Sequence, residues 1–201
     1  MIGQDHSIRP FTRSEKAFSS AFISLLKETD FDSIRVKDII ERSGFSRGSF
    51  YTRFTDKYDL ANKIIDHEIH TYVESGVEYL RLLEEGVGYQ QMLSSMTRIQ
   101  QRIFDNRDLY DVILDSQYPG VTLDDYCNRL RALMAERISA THSGAISNRS
   151  YDLYAYREFY SSILYIKYWQ LHGFKFTPEE MATMILDIHN FDLLKFSFAS
   201  V

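Results

Sequence analysis

Residues 31–60 read FDSIRVKDIIERSGFSRGSFYTRFTDKYDL. Val36, Ile39 and Ile40 place one apolar face on a helix spanning about 35–43, and Gly44 follows as its C′ stop. Ser46 is a favourable N-cap for the next helix, about 46–54. Phe45 before the cap and Phe50 at the fourth helical position form a hydrophobic staple. Phe50 and Phe54, four apart, face inward together. Two short helices joined by a tight glycine turn make a helix-turn-helix candidate, whose second helix enters a DNA major groove. A plain three-helix bundle with a solvated third helix fits the same pattern.

The outward face of the second helix is informative. With Phe50 and Phe54 inward, a 100° wheel turns Gly48 and Thr52 outward, flanked by Ser49 and Tyr51, with Arg47 in the first turn. Small and hydrogen-bonding groups let a helix approach base edges, where Ser and Thr donate or accept and Arg pairs bidentately with guanine. The Tyr51 hydroxyl and the Lys57 ammonium suit phosphate oxygens, and Lys57 opens a further helix whose N-terminus favours anions. The candidate DNA-contacting set is Arg35, Lys37, Ser46, Arg47, Gly48, Ser49, Tyr51, Thr52 and Lys57.

Working outward, the 201-residue chain carries a formal net charge of −5, which by itself disfavours nucleic acid. The charge is polarised. Residues 1–57 hold ten Lys/Arg against eight Asp/Glu, whereas 58–201 hold thirteen against twenty. Over 33–57 six basic residues face three acidic ones, which places any nucleic-acid contact at this end. With 44% hydrophobic and 25% charged residues the chain is an ordinary globular one. A single cysteine, Cys127, excludes an intramolecular disulfide and a Cys-based zinc finger. The absence of a long apolar run predicts no membrane span, and residues 1–16 carry no signal-peptide pattern, so a cytoplasmic location is expected.

Nearly every segment has helical period, and only nine Gly and three Pro interrupt it. The first helix starts at a Thr12/Glu15 capping box and ends near Thr29, with Phe18, Phe22, Leu25 and Leu26 inward. Later helices are expected over about 57–85, 89–105, 107–116, 122–141 and 149–172, with a turn at Pro119-Gly120 and a polar connection over 143–148. Gly173 stops the aromatic helix, and Thr177 caps a last helix with Pro178 at its first position. The expected architecture is all-α, about nine helices: a helix-turn-helix domain over 1–56 and a larger helical domain over 57–201.

Residues 31–60 resemble the DNA-binding region of the TetR family of transcriptional regulators. Val36-Lys-Asp-Ile39 matches the family's V-x-x-I, Ser43-Gly44-Phe45-Ser46 its A-G-V-S turn, and Gly48-Ser49-Phe50-Tyr51 its G-T-(L/F)-Y. Phe54, Lys57 and Leu60 match F-x-x-K-x-x-L. Tyr168-Trp169 through Gly173-Phe174, followed by Thr177-Pro178-Glu179-Glu180, resembles the late helices of one subgroup. The resemblance implies a homodimer on a palindromic double-stranded operator, pairing through its last two helices and releasing DNA when a small-molecule effector enters the body. The chain departs from the family at Arg35, where a phosphate-touching Thr is usual.

The aromatics of helix 149–172 lie on more than one face, which suits either a central helix or a dimer contact. The expected interface set is Tyr160, Leu164, Tyr168, Trp169, Ile185, Ile188 and Phe191. Tyr79, Met92, Met96, Phe104, Tyr126 and Met134 are candidates for an effector pocket, although Met and aromatic residues also fill ordinary cores. His67 and His70, near Asp66 and Glu68, share a helix face, yet no third ligand stands at a recognisable spacing and no metal or cofactor is expected. Cys127 at helical spacing reads as packing. No glycine-rich phosphate loop, G-x-S-x-G elbow or paired-carboxylate motif suggests catalysis. A coactivator of the same fold, contacting protein rather than DNA, is the alternative function.

Overall fold

A computed structural model describes residues 9–115, 123–141 and 148–198. The expected Pro119-Gly120 turn lies outside the described residues, as does the 143–148 connection except Asn148. Among the described residues the fold is all-α, with nine α-helices and one short 3-10 turn, η1 (Phe31–Ser33). The helices are α1 (Arg13–Leu26), α2 (Val36–Ser43), α3 (Arg47–Tyr51), α4 (Lys57–Glu84), α5 (Tyr89–Asp105), α6 (Arg107–Leu114), α7 (Leu123–Thr141), α8 (Asn148–Leu171) and α9 (Pro178–Phe198). Starts and stops follow the caps read from sequence. Gly44 takes the left-handed conformation (φ 71°) that ends α2. Thr177 accepts from the Glu180 N–H at 3.2 Å while its own N–H donates to the Glu180 carboxylate at 2.7 Å, a capping box for α9. The turn η1 was not anticipated: three residues are too few for a periodic signal.

The chain divides into two compact units. The first runs through Val73 and takes in Asp111–Leu133; the second holds Glu74–Tyr110 and the chain from Met134 onward. The reason is the apolar stripe of α4. Leu60, Ala61, Ile64, Ile65, Ile69 and Val73 are all buried, so its first half belongs to the core of the N-terminal unit.

That core centres on Phe18 of α1. The rings of Phe50 (5.2 Å), Phe45 (5.7 Å) and Phe54 (6.0 Å) all pack around it. The staple therefore closes through α1: Phe45 and Phe50 meet on Phe18. Arg42 fastens α2 to α1, its guanidinium straddling the Glu28 carboxylate at 2.5 and 2.7 Å and reaching the Ser24 hydroxyl at 2.8 Å.

At the N-terminus of α1 the Glu15 N–H reaches the Thr12 hydroxyl at 3.4 Å, and the Thr12 N–H donates back to the Glu15 carboxylate at 2.8 Å. Arg9 adds two charge-assisted bonds to the same carboxylate, at 2.5 and 2.8 Å. The Arg9 bonds, helped by Thr12 and opposed by burial, draw the Glu15 carboxyl down to about 2.

In the second unit α5 packs along α9. Met92, Met96, Ile99 and Ile103 are buried on α5, as are Met181, Ala182, Ile185 and Leu186 on α9. Trp169 of α8 is fully buried, its indole N–H donating to the Phe176 carbonyl at 3.1 Å and its ring against Phe104 (5.6 Å) and Phe174 (5.5 Å). Phe174 adopts a positive φ of 52°, uncommon for a side chain of this size, directly after Gly173 at 64°. Among the described residues no helix is long and apolar enough to cross a membrane.

The Glu15 cap carries a pH signature. A carboxyl depressed in the folded state stabilises it above the unfolded pKa, and that contribution is lost as pH falls toward the folded value. Urea midpoints of the wild type should fall between about pH 5 and pH 2, and Glu15→Gln should flatten that part of the curve while lowering its neutral-pH plateau.

Candidate nucleic-acid interface

The sequence-derived candidates separate into residues that face outward freely and residues that the fold employs. Helix α3 is only five residues long and rests on Phe50, which is fully buried. Ser46 caps it, accepting from the Ser49 N–H at 3.1 Å. Gly48 is exposed, and a Cβ built there would meet only the Ser46 hydroxyl at 3.9 Å. The protein itself thus has room for a side chain at Gly48, although glycine weakens a helix. Ser49 is half-buried.

Arg47 and Tyr51, one turn apart, are exposed together, with the guanidinium carbon 5.1 Å from the Tyr51 ring centre. Neither side chain has a hydrogen bond or ion pair among the described residues. The Tyr51 ring in turn stands edge-on to Phe50 at 5.4 Å and 80°.

Thr52 is exposed but turned inward chemically. Its hydroxyl lies 3.0 Å from both the Gly48 and Ser49 carbonyls and accepts from Arg53 at 3.2 Å. This back-bonding occupies the proton that a base edge would have taken. Arg53, which the sequence reading passed over, also reaches the Ser49 carbonyl (3.3 Å) and the Thr12 hydroxyl (3.5 Å), tying the end of α3 to the start of α1.

Lys57 is engaged within the protein. Its ammonium donates to the carbonyls of Phe31 (2.8 Å), Ile34 (2.9 Å) and Asp32 (3.3 Å) and sits 4.1 Å from the Phe31 ring centre. An ammonium has three donors, and all three are used within the protein. Lys57 therefore straps η1 in this structure. The α4 N-terminus is likewise occupied. Asp56 accepts from the Asp59 N–H at 2.8 Å and Asp59 accepts from the Thr55 N–H at 2.9 Å, so two carboxylates stand where an anion would dock.

Arg35 and Lys37 are exposed but paired. The Arg35 guanidinium holds Asp38 at 3.0 and 3.2 Å, keeping that carboxyl below its usual range, and Lys37 lies 3.4 Å from Glu41. Exposed pairs of this kind are weak and can exchange partners. Two cations absent from the sequence-derived set are Arg13 and Lys16, exposed on the first turns of α1 with no partner among the described residues. Their signal was legible: they sit three apart on one helix face, and no acid follows either at the third or fourth position.

The other candidate groups also divide. Trp169 and Ile185 (4% exposed) are core residues of their own unit and not a surface for a second copy. Leu164, Tyr168 and Ile188 are exposed, Tyr160 is half-buried, and the Phe191 side chain lies outside the described residues. Among the pocket candidates, Met92 and Met96 are buried on α5, with Gln100 donating to the Met96 sulfur at 3.4 Å. Tyr79 and Phe104 are half-buried, and the Met134 side chain lies outside the described residues. Tyr126 is buried in the first unit while those four belong to the second, and each is described within its own unit. The His67 ring is stacked on Phe11 at 4.2 Å, and among the described residues no cluster of three His, Cys, Asp or Glu could hold a metal. Cys127 is buried.

Comparison with known proteins bears on this geometry. Residues 20–64 match the bacterial regulatory proteins of the tetR family, and residues 90–190 match a transcriptional regulator C-terminal region. The uncharacterized HTH-type transcriptional regulator YfiR of Bacillus subtilis (strain 168) is 27% identical over 96 residues, 47% of this chain and 43% of that protein. The match thus spans less than half the length of that relative. A structure assigned to the TetR family, from Syntrophomonas wolfei str. Goettingen, superposes with a TM-score of 0.58 at 18% identity, covering 88% of this chain and 93% of its own. The fatty acid degradation regulator FadR of Bacillus halodurans gives 0.56 at 14% identity, covering 88% and 94%. FadR of Bacillus subtilis, in complex with stearoyl-CoA, gives 0.52 at 13%, covering 86% and 96%.

The strap role of Lys57 is open to test. Lys57→Met should lower the unfolding free energy by about 1–2 kcal/mol, through loss of the ammonium's hydrogen bonds to the part-buried Phe31 and Ile34 carbonyls. In DNA titrations the same variant should leave the slope of log affinity against log salt unchanged, whereas loss of a phosphate contact would reduce it by about one.

Proposed function

Since this chain belongs to the tetR family of bacterial transcriptional regulators, we propose that it acts as a homodimeric repressor that reads a palindromic operator and leaves it on binding a small molecule. The observation that carries the DNA-reading part is the outward face of α3. There Arg47, Gly48 and Tyr51 are exposed over a buried Phe50, and the protein fills none of the space above Gly48. Two such helices, one per subunit, would enter successive major grooves about 34 Å apart. Arg47 and Ser49 would meet base edges, and the Tyr51 hydroxyl, Arg13 and Lys16 would meet phosphates.

A second copy supplies what α8 lacks. Leu153, Tyr156, Leu164, Tyr168 and Leu171 are all exposed, and on a 100° wheel they share one face of α8 with Tyr160. Isolated apolar side chains are ordinary on a surface, but a stripe of this length along one helix needs a cover. With Ile188 of α9 exposed as well, pairing of α8 and α9 with their copies is the reading these residues support. For the effector, the second unit offers polarisable Met92 and Met96 beside buried Ser95 and Gln100, a core with polar groups to orient a ligand. A ligand that binds better to the dimer with mis-spaced α3 helices would weaken operator affinity by its preference for that state.

The cation inventory also keeps a second reading open. Of the ten Lys/Arg in residues 1–57, only Arg13, Lys16 and Arg47 lack a hydrogen-bond or ion-pair partner among the described residues. A coactivator that docks on another protein would need no more. Salt separates the two readings. The two free cations assigned to phosphates, Arg13 and Lys16, give a slope of about −2 for one head and about −4 for two, at roughly 0.9 per phosphate. Fluorescence anisotropy on a selected duplex should return the steeper value, and a flat response would favour the protein partner. In size-exclusion chromatography with light scattering, Leu164→Asp should convert a dimer to a monomer and reduce the slope toward the single-head value.

A further inference from the structure

Arg47 and Tyr51 stand at positions i and i+4 of the α3 region, so their side chains rise from the same side of the helix. The guanidinium carbon lies 5.1 Å from the centre of the Tyr51 ring, within the range of a cation–π contact. The ring is not a loose neighbour. It stands at 80° to Phe50, 5.4 Å away, and Phe50 is fully buried at 5.2 Å from Phe18. A continuous aromatic path thus runs from the core of α1 to the tip of the exposed arginine.

A guanidinium uses its face for stacking and its edge for hydrogen bonds, and the two do not compete. At Arg47 the guanidinium carbon lies over the ring, and no carboxylate or carbonyl among the described residues holds its N–H groups. The other arginines of the second and third helices differ. Arg35 holds Asp38, Arg42 holds Glu28, and Arg53 holds the Ser49 carbonyl and two hydroxyls. Of these arginines, among the described residues, only Arg47 combines an aromatic neighbour with an open fork, the group that pairs bidentately with the O6 and N7 of guanine.

We infer that Arg47 and Tyr51 act as one unit that selects a G·C pair in each half-site, with the Tyr51 ring as the platform that aims the Arg47 fork. Tyr51 is therefore a positioning residue for base choice, in addition to any phosphate contact through its hydroxyl. This rests on the DNA-reading function proposed above and adds to it the base that is read and the device that reads it. The geometry assigns different work to the two parts of the tyrosine. The ring bears on which base is preferred, whereas the hydroxyl bears on affinity for every sequence alike.

Selection from random-sequence duplexes with the full chain, followed by single base-pair substitution across the half-site, tests the assignment. Arg47→Ala and Arg47→Lys should both flatten the preference at one G·C pair, since lysine keeps the charge but not the fork. Tyr51→Leu should weaken the preference at that same pair by about two- to fivefold, the worth of an exposed cation–π contact. Tyr51→Phe should weaken binding to all duplexes equally and leave the preference intact. In the Arg47→Ala background Tyr51→Leu should have no further effect at that pair. Specific binding in which Tyr51→Phe flattens the preference as much as Tyr51→Leu would overturn this proposal and leave the DNA-reading function standing. So would an Arg47→Ala chain that still prefers guanine. Failure of the wild-type chain to select any duplex would overturn both.

Discussion

A five-residue helix cannot hold itself. Fixing the first turn of an isolated helix costs more backbone freedom than its one hydrogen bond returns, so α3 exists only because something outside it supplies the difference. That something is Phe50 on Phe18, with Phe54 completing the group three residues beyond the helix and Ser46 capping its start. The surface proposed to meet DNA therefore inherits its position from a ring on α1. This is an economical way to build a reader. A longer helix would be more stable alone, but its angle would be set by its own length rather than by the core beneath it.

The basic residues around α3 reinforce the same centre. Lys57 closes three carbonyls of the η1 region, and Lys63 donates to the Arg53 carbonyl at 2.7 Å and to Asp59 at 3.0 Å. Arg53 turns back on the Ser49 carbonyl. Each places positive charge against carbonyls that a helix end or turn leaves exposed, where it is most favourable. These side chains build the reader, and a tally of basic residues overstates what remains for contact with a polyanion.

The architecture was legible in the sequence where a cap or a period specified it. Thr12 with Glu15, Ser46, Gly44 and Thr177-Pro178 mark ends by chemistry that acts over three or four residues. The inward face of α1 follows from spacing alone, as the burial of Phe18, Phe22, Leu25 and Leu26 shows. What escaped was long-range. Nothing local in Lys57 says that its ammonium turns toward carbonyls 23 to 26 positions earlier, and η1, which presents them, is too short to leave a pattern. Trp169 and Ile185 were assigned to an interface because α8 is aromatic on several faces. Periodicity cannot say which face a neighbour in the same chain covers, and here Phe104 and Phe174 cover Trp169. The course of α4 shows a related effect. Lys57 starts a helix, but the first half of that helix packs with what precedes it.

The net charge of −5 finds its place in this accounting. If affinity came from bulk electrostatics, an acidic chain with three unpartnered cations in its basic region would be a poor DNA binder. It need not come from there. Attraction to phosphates scales with the number of neutralised charges and is indifferent to sequence, so a head with few free cations has little affinity to waste on random DNA. A repulsive body lowers that background further. Discrimination then rests on short-range groups such as the Arg47 fork, and on whether two heads engage at once, since joining them makes the second contact intramolecular. In the dimer proposed above, such a reader would be weak alone and selective in pairs, and its affinity would be governed by the spacing between the two α3 helices, a quantity that a ligand in the body could change without touching DNA.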